Sequence, residues 1–469
     1  MEKKQGELVR SVTLSAATIL VISSVIGTGV YKKVAVMSSD LMSPGLVLFC
    51  WVLAGFISLT GALSNAEIAG MLADSGGEYV YFKKIYGRFT AFIYGWTTFS
   101  IIKTASISSI GYVFAQSFNS LIPLNAFNLP PSASSIEIFG LFKPFDNFGV
   151  KMLCILLILI LTFINTRGLK GAAFLSSSIT KMVVVGLALI VISGLFFGGG
   201  SLQNFNTPSV NYTQKSWTDF SLIKAIFSAM LAAFWAYEGW NTVGFIGGEI
   251  QNPKRNLPLA LFFGLFIIMG VYALVNFTYL YVLPIDNVIE VYKSQNGIAA
   301  VAVIKHFAGT LGASILSVLI LFTTLGCTNS TILMPPRMYY AMAKDGVFFP
   351  SAAEINPVSN TPNNALWIQG VWACLLVLSG TFDQLTDMLI FAAFFFYGAT
   401  AVGVFILRVR EPNTERPYKV WGYPFVPAIF IAFCVALIVI TCFTHPREAG
   451  FGLVLMATGV PFYLYWNKK

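Results

Sequence analysis

Twelve stretches of roughly 17–25 predominantly apolar residues run through this chain, the length a helix needs to cross a hydrocarbon layer. They lie near 12–35, 44–70, 88–119, 150–166, 171–197, 218–249, 258–283, 309–335, 364–380, 386–408, 424–443 and 448–466. Peptide groups in hydrocarbon must find their hydrogen bonds within the segment. The runs far exceed the roughly ten residues of a barrel strand, so an all-α bundle of twelve transmembrane helices is predicted. Composition agrees: 56% of the 469 residues are apolar and only 10% charged, where a soluble domain carries about a quarter. No separate soluble domain fits, and residues 1–469 read as one transmembrane unit.

The first run begins near Ser11 and ends in Lys32 and Lys33 without a cleavage site, so it stays as a span. Alternate connections are basic: Lys3, Lys4 and Arg10, then Lys83, Lys84 and Arg88, then Arg167 and Lys170, Lys254 and Arg255, Arg337 and Lys344, Arg408 to Lys419, and Lys468 with Lys469. The positive-inside rule then places both termini in the cytoplasm of a multi-pass cell-membrane protein. The same dispersal explains the net charge of +9 as topology and leaves no patch for nucleic acid. Outer loops are expected at about 120–149 and 198–217. A helix over the outer mouth is expected within Asp286–His306, and a short cytoplasmic helix from Arg337 to Asp345, ended by Gly346. The six cysteines sit in or beside apolar runs and form no disulfide or metal framework. His306 and His445 fall at loop edges with no HExxH or GxSxG pairing, so an intramembrane enzyme is disfavoured. A channel would show a polar stripe, and an ATP-driven pump a GxxxxGK[ST] loop; neither is present, and no cofactor is called for.

Two spans resist being continuous helices. Span one holds Val25-Ile26-Gly27-Thr28-Gly29 at its centre, and paired glycines make a helix easy to unwind. Span six is about 34 residues long and reads Trp235-Ala236-Tyr237-Glu238-Gly239-Trp240-Asn241 in its middle. The weak points lie about 210 residues apart, each opening a set of five spans, which divides the chain into 12–198, an inverted second set 218–408, and two further helices in 424–466. This is the transporter pattern of paired broken helices at mid-membrane. Free amides at Gly27, Thr28 and Gly29 suit a carboxylate, and free carbonyls near Val25, Ile26, Trp235 and Ala236 suit an ammonium, so a zwitterion matches both.

Ionisable groups within spans cost about 2.5–3.5 kcal/mol each and call for a role. Lys181 falls about ten residues into span five, where its ammonium could replace a coupling cation or carry a proton. Glu238 could meet a basic group of the substrate, pair with Lys103 of span three, or satisfy unwound backbone; Lys103 could equally snorkel outward. Glu67 and Glu249, at the cytoplasmic ends of spans two and six, read as gate-side ion pairs. Tyr237, Trp235 and Phe394 to Tyr397 are candidate pocket walls.

These stretches resemble the L-type branch of the amino acid–polyamine–organocation (APC) superfamily, whose members share the LeuT fold with its five-plus-five inverted repeat. The resemblance runs along nearly the whole chain. It is carried by Ile26 to Gly29, Ala66 to Gly70, Ser75 to Tyr79, Lys103 with Ser106, Asn165 to Gly168, Lys181, Ala236 to Asn241, and Glu249 through Pro258. It implies a secondary carrier of amino acids working by alternating access, with Thr28, Gly29, Trp235, Ala236 and Asn241 around the substrate and Lys181 where sodium-coupled relatives bind their ion. Neutral L-amino acids are the first expectation; a cationic amino acid or polyamine held by Glu238 is the alternative, because Glu238 stands where large-neutral carriers have a small residue. Thr104-Ala105 also departs from the Pro-Ser common after the basic residue of span three. The outer loop at 120–149 lacks the cysteine that joins animal members to a heavy subunit, so no disulfide-linked partner is expected; amino acid and membrane lipid are the partners implied.

Overall fold

The computed structural model describes residues 12–72, 77–138, 142–167, 170–241, 250–294, 296–357, 359 and 361–467, with only the backbone course given for 170–181 and 253–254. Within them the chain is helical. The first span is two helices, α1 (Leu14–Val25) and α2 (Gly29–Leu41), followed by α3 (Pro44–Met71). A short α4 (Glu78–Tyr86) leads to α5 (Arg88–Thr97), which passes through a π turn, Thr98–Ile102, into α6 (Lys103–Leu121). After the one-turn α7 (Pro131–Ser134) come α8 (Phe148–Thr166), α9 (Lys170–Phe197), the short α10 (Leu202–Asn206) and α11 (Phe220–Tyr237). The second half holds α12 (Pro253–Val282), α13 (Ile285–Lys293), α14 (Ala299–Leu333) and α15 (Pro336–Lys344). It ends with α16 (Asn363–Ser379), α17 (Phe382–Arg410), α18 (Phe425–Thr444), α19 (Pro446–Ala457) and α20 (Gly459–Trp466).

Among the described residues, eight helical segments are long and apolar enough to cross a membrane, nine when the bent pair α1–α2 is taken as one span. The other expected stretches coincide with helices that are not long and apolar enough to count as such. Span three is divided by its π turn and carries Arg88 and Lys103, while spans five and nine supply the shorter apolar stretches Met182–Phe197 and Asn363–Ser379. The chain is thus an all-α, multi-span membrane protein.

Local chemistry sets several boundaries. Thr13 caps α1 by accepting from the Ala16 amide, Met42 ends α2 in the left-handed conformation just before Pro44 opens α3, and Thr381 with Gln384 forms a reciprocal capping box on α17. Two expected boundaries are corrected. Span one runs on to Leu41, with Lys33 wholly buried rather than at an interface, because its ammonium finds anionic and hydroxyl partners inside the bundle. The expected mouth helix is two pieces, α13 and the start of α14, which kinks at Gly309 (φ 64°). The short helix near Arg337–Asp345 is present as α15, and Gly346 after it has φ 73°.

The first weak point is a real break, and the end of α11 at the second meets it. α1 and α2 are bent by 51° across Ile26–Thr28, and α11 ends at Tyr237 with Glu238 extended and Gly239 at φ 116°. A side chain at Gly239 would lie 2.3 Å from the Ser24 carbonyl oxygen, and one at Gly29 would lie 2.6 Å from the Ala236 methyl. Each glycine therefore lets one broken helix touch the backbone of the other. The second half of span six, residues 242–249, lies outside the described residues. Glycine 239→Ala should therefore lower stability by about 1–3 kcal/mol, through overpacking and a left-handed backbone. Gly270→Ala in open space on α12 should be neutral or slightly stabilising; thermal melts of the two purified variants in detergent check the pair.

Candidate functional site

α2 begins at mid-bundle, so its first amides have no helical acceptor of their own and present the positive end of a helix. Thr28, at its N-cap, is buried, makes no capping bond, and its hydroxyl has no hydrogen-bond partner among the described residues. An orphaned donor and acceptor beside free amides is a place for a polar ligand atom. Opposite it, the C-terminal carbonyls of α1 and α11 converge on one residue, Tyr272 of α12, whose hydroxyl lies 3.2 Å from the Val25 oxygen and 2.9 Å from the Ala236 oxygen. Each carbonyl keeps a second lone pair for another donor. Tyr237 donates to the Trp51 carbonyl at 3.0 Å, and the rings of Trp51, Tyr237 and Tyr272 pack tilted or edge-on in mutual contact behind the breaks.

Glu238, the C-cap of α11, is half-buried and receives the Tyr397 hydroxyl at 2.7 and 2.8 Å from its two oxygens. The pairing with Lys103 weighed from the sequence is not made, and no ion pair to Glu238 occurs among the described residues. Below it, Asn241 donates to Glu78 at 3.3 Å, and Asn65 and Tyr94 also donate to that carboxylate. Lys103 and Glu238 lie close enough for their charges to act on Glu78. Trp235 stands edge-on to Phe382 at 5.1 Å, and Trp240 faces Tyr397 at 5.0 Å. The structure thus brings together Val25, Ile26, Gly27, Thr28 and Gly29 with Trp235, Ala236, Tyr237, Glu238 and Asn241. Ser106 is on α6 with no side-chain bond to either break, and the side chain of Lys181 lies outside the described residues. The two segments touch at Gly29 and Gly239, and two cavities lie apart from that contact, one of about 410 Å³ lined by Phe82, Phe89, Phe396 and Val460, and a small one beside Lys32 and Asp383.

Sequence reasoning missed Tyr272, Glu78 as a buried acid and the Lys33–Asp383 pair. A tyrosine in the middle of an apolar run was the available signal for the first, since a buried hydroxyl needs a partner. Both faces of the bundle are tied by charges. On the side of the basic connections Glu67 is 1% exposed and accepts from Arg408 at 2.9 and 2.7 Å and from the Val420 amide at 2.7 Å, with Arg416 at 3.3 Å. Glu249, expected to act with it, lies outside the described residues. On the same side α4 is strapped to α15 by Lys83 and Tyr79 on Asp345, and to the end of α17 by Lys84 on Glu411. Burial opposes the charge on Asp345, but bonds from Lys83 and Tyr79, with the charges of Lys83 and Arg88, outweigh it and hold the carboxyl below its usual range. On the opposite side Lys33 lies 2.7 Å from both Asp383 and Thr386, and Lys32 lies 2.6 Å from Gln116.

A helix broken at mid-bundle, a second that ends against it, and ion pairs on both faces fit a membrane carrier. Among the described residues no cluster of His, Cys, Asp or Glu could hold a metal ion. The amino acid permease family profile matches residues 12–462, and the chain belongs to that family, within the APC superfamily. It is 30% identical to the serine/threonine exchanger SteT of Bacillus subtilis over 100% of this chain and 99% of the relative. It is 29% identical to the mouse b(0,+)-type amino acid transporter 1, over 98% of this chain and 89% of the relative. It is 25% identical to the human cystine/glutamate transporter, over 100% of this chain and 88% of the relative. The chain is therefore a secondary-active amino-acid transporter of the APC type rather than an enzyme, and all six cysteines are free. Replacing Glu67 by Gln strands two guanidinium groups, and breaking a buried pair costs about 3–5 kcal/mol. The variant is expected to melt well below the parent in detergent, whereas Lys143→Gln, which breaks an exposed pair with Glu137, is expected to melt within experimental error of it.

Proposed function

We propose that this transporter carries an amino acid with a positively charged side chain, gripped by Glu238 while its backbone groups bind at the breaks. One observation carries this reading: Glu238 is a carboxylate at the α11 break whose described partner is a neutral phenol, Tyr397. The other acid first expected at a gate, Glu67, is saturated by two guanidinium groups and a backbone amide, so it has no capacity for a substrate. A half-buried carboxylate without a cation gains from a ligand that brings one. In this scheme the substrate carboxylate sits on the amides of Gly27, Thr28 and Gly29, its ammonium shares the carbonyls of Val25 and Ala236 with Tyr272, and Asn241 and Trp235 close the site. Lys103, near Glu78, keeps that second acid from competing. The scheme further assumes the LeuT arrangement of twelve spans in two inverted sets of five, the basic connections and both termini in the cytoplasm, and Lys181 in place of a coupling sodium ion. Transport would then proceed by exchange or by proton-linked uptake.

A second reading, transport of neutral L-amino acids within the L-type branch, is favoured by the full-length similarity to a serine/threonine exchanger. There the Tyr397 hydroxyl alone would satisfy Glu238. Uptake of labelled lysine and alanine by Glu238→Gln in proteoliposomes separates the two. A charge-assisted hydrogen bond of about 1.5–3 kcal/mol corresponds to roughly a 10- to 100-fold loss, so lysine uptake should fall by that factor relative to alanine. An unchanged lysine-to-alanine ratio rejects Glu238 as an anchor.

A further inference from the structure

The charges on the face opposite the basic connections belong to no part of this scheme, and they form a network rather than isolated pairs. His445, at the junction of α18 and α19, places Nε2 3.7 Å from Asp387 Oδ2 on α17 and 3.5 Å from Ser228 Oγ on α11. Ser228 in turn donates to Asp40 Oδ2 on α2 at 2.8 Å. The imidazole, at the junction of α18 and α19, therefore touches α17 and α11 directly and reaches α2 through Ser228.

The neighbouring charges leave a place for one more positive group. Lys33 pairs with Asp383, one turn from Asp387, and lies over the rings of Phe382 and Trp235 at 4.6 and 5.8 Å. Lys32 bonds to Gln116 and lies over Phe382 at 4.3 Å, and Arg447 of α19 pairs with Glu448 at 3.1 Å while donating to the Ser379 carbonyl. Four acidic side chains, Asp40, Asp383, Asp387 and Glu448, thus lie among three basic ones, Lys32, Lys33 and Arg447. Lys224, one turn before Ser228 on α11, turns its ammonium over Phe220 at 4.8 Å, and Lys151 of α8 donates to the Lys143 carbonyl with Asp146 nearby. From α13, Tyr292 faces the carboxylates, while Asp286 is taken by Ser209 and Glu290 by Lys293.

We propose that His445 is a proton-binding latch. Its imidazolium supplies the missing positive charge between Asp387 and the Ser228–Asp40 pair, and so holds α2 and α11 against α17 and α18 and keeps this face shut. Histidine ordinarily changes charge between about pH 5 and 8, so acid should stabilise the closed face and alkali loosen it. The inference rests on the carrier reading, in which α2 and α11 must part from α17 for this face to open.

The test measures opening without transport. Val36, beside Lys32 in the small cavity of this face, is replaced by cysteine in a background where the exposed native Cys442 is serine. The protein sits in nanodiscs, with both sides at the same pH. Maleimide labelling of Val36→Cys is divided by that of Ser132→Cys, on an exposed turn, which removes the intrinsic pH dependence of the thiol. The ratio should be at least three-fold lower at pH 5.5 than at pH 8.0. His445→Gln should hold it at the higher value throughout, and Asp387→Asn should flatten the response. An equal ratio at both pH values, or a pH response that survives in His445→Gln, overturns the latch. Amino-acid uptake by the Val36→Cys protein, assayed separately in proteoliposomes, decides the carrier reading independently of the labelling result.

Discussion

Every functional feature of this chain depends on the contact between two interrupted helices. Inside an apolar bundle an unwound segment exposes peptide groups that water cannot reach, and such groups are tolerated only when protein or ligand completes them. Here Tyr272 completes one carbonyl from each break with a single hydroxyl. The glycines bring the backbones close enough for that sharing to be possible, since a methyl at Gly29 or Gly239 would overlap the opposite strand of the contact. The breaks are therefore one structure and not two: unwinding either alone would leave peptide groups without partners.

The helices were legible because apolar length reports directly on the hydrocarbon they cross, and the weak points were legible only as a pair, because a lone glycine pair in a membrane helix more often serves close packing. The charges were less so. Lys32 and Lys33 end an apolar run, which reads as a membrane boundary, yet the partners of Lys33, Asp383 and Thr386, lie about 350 residues away. No local pattern announces that pairing. Asp383 was hidden for a related reason: the expected start of span ten at 386 put it in a loop, whereas Thr381 and Gln384 begin the helix before it. Tyr272 was overlooked because its acceptors exist only once both helices are broken, a condition set by tertiary contact. The π turn at 98–102 and the kink at Gly309 likewise leave only weak traces in an apolar sequence.

The distribution of charge then separates holding from binding. Toward the basic connections, Glu67 is bound by guanidinium groups in fixed, forked geometry, and the α4 strap links three separate helices. Such pairs join elements that a carrier must at some stage move apart. Toward the opposite face the ties are a lysine–aspartate pair and a histidine within reach of two acids. The two faces are thus tied by different chemistry. Toward the opposite face an imidazole joins the lysine and guanidinium pairs, and imidazole, unlike guanidinium, changes charge within the physiological range, which is what the proposed latch draws on.

Between the faces lies an acid that neither set of ties employs. Glu238 sits at the end of α11, where the helix dipole is negative and disfavours a second negative charge, and a phenol is the partner the described residues give it. A site built only to hold the zwitterionic part of an amino acid would need no acid there; free amides and carbonyls suffice. An uncompensated carboxylate at a helix C-terminus is instead a standing demand for a cation. If the protein does not meet that demand, the substrate side chain or a proton must meet it in each transport cycle. On the proposed reading, Glu238 is the residue through which the identity of the cargo and the energetics of moving it would be coupled.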